Sequence, residues 1–306
     1  MIVRFLDTQK RQNSAYGPTF SDRRRTRIAK RGTMRPISAL ILVLVAACGG
    51  TRGTPAPPVE AAPPDRLSYR PATVLYAAAS HQQIEQDISG RTQSSRIVTR
   101  YVLRTEIGPA ADGMPVTMVL DSIVVDGQLG VSESEIAAAQ GTGFAALLQS
   151  TGELTGFTGG DTTMPLVRRL TSRLSDFFPR IPPDGAQPDQ RWSDSTESVT
   201  DVGGVLLTVR AANGHEALDW TSYAGRRALA IRTVSDYTLS GTGEQSGQSL
   251  SLDGSGRRHA IEYLSAEGVY LGATAADTLE FEVLLTQIGM VIPGRQWSAD
   301  TIVAVN

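Results

Sequence analysis

The chain has 306 residues, 41% of them apolar and 20% charged, with a formal charge of -2, enough for one large domain or two modest ones. The charge is unevenly placed: residues 1–47 hold both lysines and eight arginines against only Asp7 and Asp22, so the remainder is lysine-free and carries ten more acids than bases. A single cysteine, Cys48, excludes an internal disulfide, and an acidic body argues against a nucleic-acid partner, because phosphate binding needs the opposite sign.

Residues 1–33 are polar and arginine-rich, whereas Met34-Arg35-Pro36 would open an export signal in the ordinary way. Translation is therefore expected to start at Met34, with residues 1–33 a mis-annotated or disordered extension. The alternative is a genuine basic extension, in which Arg23-Arg24-Arg25 serves twin-arginine export; the following Thr26-Arg27-Ile28-Ala29-Lys30 matches that consensus poorly. From Ile37 to Ala47 the chain is almost wholly apolar. That stretch is too short to span a bilayer, which takes roughly 20 residues, and has the length of a signal-peptide core. Residues 34–47 thus read as a signal peptide, cleaved between Ala47 and Cys48. Val45-Ala46-Ala47-Cys48, an aliphatic residue and two small ones before cysteine, resembles the bacterial lipobox. The resemblance implies diacylglycerol on the Cys48 sulfur and an acyl chain on the freed amine, the only covalent groups expected; no other cofactor is implied. Two or more chains anchor stably where one does not. By resemblance to lipoprotein sorting signals, Gly49 rather than Asp after the cysteine favours the outer membrane, facing the periplasm, in an organism that has one.

Residues 48–67 form a Pro/Gly-rich tether with almost nothing to bury. A β-rich domain is expected over 68–306. In 97–106 Ile97, Thr99, Tyr101, Leu103 and Thr105 alternate with Val98, Arg100, Val102, Arg104 and Glu106; Val116, Met118, Leu120 and Val124 continue the pattern. Such alternation marks antiparallel strands with one wet face. A weak helix is expected over 134–149, interrupted by Gly141 and Gly143. A stronger one is expected over 165–178, where Leu166, Val167, Leu170, Leu174, Phe177 and Phe178 recur at helical spacing, Thr162 or Thr163 caps, Pro165 opens and Pro179 stops. The proline-rich segment 180–189 is a candidate sub-boundary. Strands resume at Trp192, and 229–240 and 279–285 alternate clearly. Gly241–Gly247 and Asp253-Gly-Ser-Gly256 both read as hairpin loops. Pro188, Trp192, Ser193 and Thr196 are echoed at the same spacing by Pro293, Trp297, Ser298 and Thr301, which suggests two strand starts after a proline turn, each tryptophan anchoring the core edge. The fold class expected is mainly β (α+β): a curved antiparallel sheet or half-barrel-like body packed with one or two helices.

Catalytic signatures are lacking. No Gly-x-Ser-x-Gly elbow, phosphate loop or His-Glu-x-x-His occurs. His81, His215 and His259 are scattered and read as surface or sheet residues. Asp121, Asp126, Glu133 and Glu135 lack the spacing of a calcium loop, so no metal and no catalytic residue is assigned. Gly156-Phe157-Thr158-Gly159, Phe178-Pro179, Trp192, Tyr223-Ala-Gly-Arg-Arg227 and Ser240-Gly241-Thr-Gly243 come in an order that resembles a group of bacterial lipoproteins of uncharacterised activity. The resemblance spans most of 70–305 and implies no reaction. More distantly, strands around helices after a lipobox resemble half-barrel envelope proteins that shelter lipid or acyl chains, a likeness of fold that does not fix function.

Three readings follow. The first is a non-enzymatic, lipid-anchored envelope protein with a structural or protein-binding role, its partners being membrane lipid through Cys48 and envelope proteins. The second is a carrier or chaperone for a lipid or acyl chain, held in a cavity between sheet and helix 165–178 against Leu166, Leu170, Leu174 and Phe177. The third is a hydrolase, which needs a histidine within hydrogen-bond reach of a serine or acid in a pocket.

Overall fold

The computed structural model describes residues 63–109, 113–127, 131–201, 204–245 and 247–305. The expected cleavage and lipidation at Ala47 and Cys48, the leader and most of the tether lie outside these residues. Eleven strands occur in chain order: β1 (Ala72–Ile88), β2 (Arg91–Ile107), β3 (Met114–Gly127), β4 (Gly143–Leu148), β5 (Leu154–Gly159), β6 (Arg191–Asp201), β7 (Val205–Tyr223), β8 (Arg226–Gln245), β9 (Gln248–Ser265), β10 (Tyr270–Leu285) and β11 (Met290–Val305). Helix α1 (Glu133–Ala139) precedes β4, and α2 (Pro165–Leu174) follows β5. No helix among the described residues is long and apolar enough to cross a membrane.

The strands make one open curved sheet in the order β5-β4-β3-β2-β1-β11-β10-β9-β8-β7-β6, with every neighbouring pair antiparallel. Each strand lies beside its neighbour in sequence except at one place, where β1 pairs with β11 from Leu75↔Val305 to Gln86↔Gly294. The two free edges, β5 and β6, are joined by α2 and the segment that follows it. The expected mainly-β architecture with few helices is thus observed.

Period-two alternation decides which side chains share the inner face, the one on which α2 packs. Tyr76 and Ala78, Tyr101 and Leu103, and Ile231 and Ala273 meet Leu166, Val167, Leu170, Leu174 and Phe177 in a single core cluster. Phe177 stands edge-on to Tyr76 and Tyr270 at ring distances of 5.0 and 5.5 Å. Such aromatic pairs add about 0.5–1.5 kcal/mol each beyond their burial.

Several expectations are corrected. The helix expected over 134–149 lasts only from Glu133 to Ala139, closed at its start by a reciprocal Ser132–Glu135 capping box. Beyond Gly141, Phe144, Ala146 and Leu148 alternate inward and become β4. Helix α2 stops at Leu174 rather than Phe178: the Phe177 N–H turns back to the Leu174 carbonyl at 3.2 Å in a tighter turn, and Pro179 disfavours helical backbone at Phe178. Neither Thr162 nor Thr163 caps α2, whose first turn starts at Met164; instead the Asp161 carboxylate accepts from the Thr163 N–H at 3.0 Å. In β3 a bulge at Asp121, between the pairs Val102↔Ser122 and Leu103↔Leu120, shifts the alternation by one. Ile123 is therefore buried, and Val124 is 56% exposed.

The hairpin expected at 241–247 is there, but strand β8 runs on to Gln245 and β9 resumes at Gln248, while the loop expected at 253–256 is strand throughout. Gly241 and Gly243 pair with Leu252 and Leu250, and β9 runs through Gly254 and Gly256. Their glycines make room for neighbours: a Cβ on Gly256 would lie 2.4 Å from the Tyr237 ring, and one on Gly294 equally close to Phe281. The Pro–Trp echo joins unlike positions. Trp192 is the second residue of β6 and faces inward, whereas Pro293 lies inside β11 and Trp297 faces outward.

Candidate functional site

Away from α2, toward β6, the inner face turns polar. Register places Trp192 of β6, His215 of β7 and Thr233 of β8 in one cross-strand row, with Asp194 and Asn213 in the next. His215 is only 5% exposed. Its ring stacks on Trp192 at 5.3 Å with an interplanar angle of 11°. Imidazole Nδ1 is 3.0 Å from Thr233 Oγ1, and that hydroxyl is 2.8 Å from Glu262 Oε2. On the other side, Nε2 is 3.5 Å from Asp194 Oδ2 without making a hydrogen bond, while Asn213 donates to Asp194 at 2.6 Å. Asp194, His215, Thr233 and Glu262 thus form a linear polar chain across four strands.

Thr233 has one proton to give, so the chain has two arrangements. With Glu262 ionised, Thr233 donates to it and accepts from Nδ1–H; the neutral ring then turns an Nε2 lone pair toward the Asp194 carboxylate. With Glu262 protonated, every donor reverses, and Nε2–H points at Asp194. Burial raises the Glu262 carboxyl above its ordinary value and, against the pull of Asp194, lowers the His215 imidazole. The raised Glu262 favours the second arrangement, in which that carboxyl is neutral, while the lowered His215 suits either, since the ring is neutral in both. Next to this chain, Tyr237 donates to Asp277 at 2.8 Å, and burial raises the Asp277 carboxyl as well.

A cleft of about 570 Å³ opens beside this chain, between the free edge of β6 and the segments 151–154 and 175–183. Trp192, Asp194 and Thr196 form one wall, and Glu153, Asp176 and Arg180 the other. Arg180 bridges Glu153 at 3.3 Å and Asp176 at 3.4 Å, so one guanidinium partly offsets the two carboxylates of that wall. The second wall is held by an Ile181 N–H donating to Thr151 O at 2.9 Å. It also requires Gly152, whose φ of +86° and approach to the Pro179 carbonyl leave no space for a Cβ.

The residues singled out by sequence have separate places. Leu166, Leu170, Leu174 and Phe177 are at most 4% exposed and belong to the core cluster. His81 and His259 are exposed on the outer face. His215 is a sheet residue, as expected, but a buried one that folding surrounds with Trp192, Thr233 and Asp194. The only hint in the sequence was a polar residue at an inward position of an alternating strand. Among the described residues no group of three or more His, Cys, Asp or Glu side chains is placed to hold a metal ion.

No protein-family model matches the chain, and no curated protein matches its sequence. Solved structures similar to it include Pseudomonas aeruginosa OccK2 in complex with glucuronate, at 8% identity, covering 76% of this chain and 98% of that one, with a TM-score of 0.26. A domain from Vibrio parahaemolyticus described as an outer membrane lipoprotein-sorting protein is 6% identical, covering 75% and 83%, with a TM-score of 0.19. A DUF1329 family protein from Desulfovibrio piger is 10% identical, covering 75% and 84%, at 0.14. TM-scores this low carry no argument about function.

Proposed function

We propose that the chain is a lipid-anchored protein of the bacterial cell envelope, held through acyl groups on Cys48, whose β body binds other envelope proteins and catalyses no reaction. The observation that carries the binding role is the unclosed sheet. The 11-residue strand β6 is paired on one side only and borders a cleft with a polar wall. Free strand edges are recurrent recognition elements, because their unpaired N–H and C=O groups accept a further strand. The anchor rests on the lipobox and the tether. A hydrolytic reading stands third: the Thr233 hydroxyl lies 3.0 Å from His215, and Asp194 lies 3.5 Å from that imidazole, as an activated hydroxyl would need, but neither His215 nor Thr233 lines the cleft, where a substrate would reach them.

The carrier reading stands second. Leu166, Leu170, Leu174 and Phe177 are in contact with the sheet core, so an acyl chain would have to displace α2 to reach them. Mass spectrometry of the native protein tests both readings. A di- or triacylated peptide beginning at Cys48 is expected, and an intact Ala47–Cys48 bond would refute the anchor. Stoichiometric non-covalent lipid in the same gently extracted preparation would move the assignment to a carrier.

A further inference from the structure

The outer face carries a second feature, independent of the cleft. A groove of about 970 Å³ crosses strands β7 to β11. Register sets its two banks. One is the row Ala212, Asp236, Arg257, Thr278 and Trp297; the other is the row Arg210, Thr238, Ser255, Glu280 and Arg295. With strands about 4.8 Å apart, five strands give it a length of roughly 19 Å.

Three properties define what fits there. Trp297 leaves 38% of its surface exposed at one end, offering a flat apolar ring in an otherwise polar setting. Small side chains, Thr278, Ser255, Thr238 and Ala212, keep the channel between the banks open. Each guanidinium along it is matched by a carboxylate: Arg257 with Asp236 through bonds of 2.6 and 3.0 Å, Arg295 with Glu280 at 3.2 Å, and Arg210 with Glu197 at 3.0 Å. These pairs present planar arrays of donors and acceptors with no net charge.

A neutral set of paired charges gives no advantage to a polyanion. The strands beneath are all paired on both sides, so a peptide finds no main-chain partners. A ligand that matches is uncharged, elongated, dense in hydroxyls and apolar on one ring face. We propose that this groove binds a neutral oligosaccharide, with a pyranose ring stacked on Trp297 and hydroxyls bonded to the Arg257–Asp236 and Arg295–Glu280 pairs.

Calorimetric titration of the full-length protein with chitotetraose and with maltotetraose tests this. At least one is expected to bind, more tightly than its monosaccharide, with little dependence on salt. Trp297→Ala should weaken that binding about tenfold or more. Thr238→Tyr, which fills the channel and leaves Trp297 in place, should do the same, with thermal melts showing that both variants remain folded. Absence of heat with both tetrasaccharides, or equal affinity in the folded variants, would overturn the proposal. So would binding that is found only with anionic polysaccharides and vanishes in salt. Because the groove is remote in sequence from Cys48, failure here leaves the anchoring result unaffected.

Discussion

His215 and Glu262 are displaced in opposite directions by the same burial, and stability should register both. The imidazole lies below its ordinary 6.5, so the unfolded chain takes up this proton more readily than the folded one. Its contribution is complete above pH 6.5 and is lost as pH falls through the depressed folded value. The Glu262 carboxyl lies above its ordinary 4.5; its contribution is complete below pH 4.5 and is lost as pH rises through the raised folded value. His215→Asn should remove the histidine's share of the acid-side loss, and Glu262→Gln the glutamate's share of the loss at higher pH. Melting temperatures of the three proteins from pH 4 to 9 check this, and curves of identical shape would contradict it. None of this was legible beforehand. Trp192, His215, Thr233 and Glu262 come from four strands, and only the register between strands makes them neighbours.

At the level of elements, the sequence was readable wherever a single face decides the structure. Inward Phe281, Val283 and Leu285 against outward Glu280 and Glu282 specify β10, and the apolar stripe of α2 specifies its packing face. Leu170→Ala should cost about 2–5 kcal/mol, read from urea unfolding; a cost under about 1 kcal/mol would mean that α2 is loosely seated and would revive the carrier reading. Reading failed where a local irregularity resets the pattern. One extra residue at Asp121 reversed the faces of Ile123 and Val124. The alanine content of 134–149 hid the alternation of Phe144, Ala146 and Leu148. Glycines under Tyr237 and Phe281 looked like turns, because the rings that need their space belong to other strands.

For the whole molecule, the class of architecture followed from antiparallel alternation, whereas the closing contact did not. No property of Ala72–Ile88 or Met290–Val305 alone announces that they pair. The two edges were likewise invisible, since β5 and β6 differ from interior strands in their neighbours rather than in their pattern. Which faces carry function followed from that arrangement, not from any motif. Trp192 and Trp297 share their local spacing and look onto opposite sides of the sheet.

The pairing of β1 with β11 bears on how the chain acquires its structure. Leu75 and Val305 are about 230 residues apart, so this contact carries the largest loop-closure entropy in the sheet. All the other pairings join consecutive strands. Placing new termini within 180–189 and joining the end of β11 to the start of β1 would turn the fold into an uninterrupted meander. Such a permuted chain should refold faster than the natural one while unfolding at a similar rate, since contact order falls and the native contacts stay. Stopped-flow refolding measures this; equal rates would mean that closing the β1–β11 seam does not limit folding. The natural order of strands leaves the central seam of the sheet to be sewn last, by the two ends of the body.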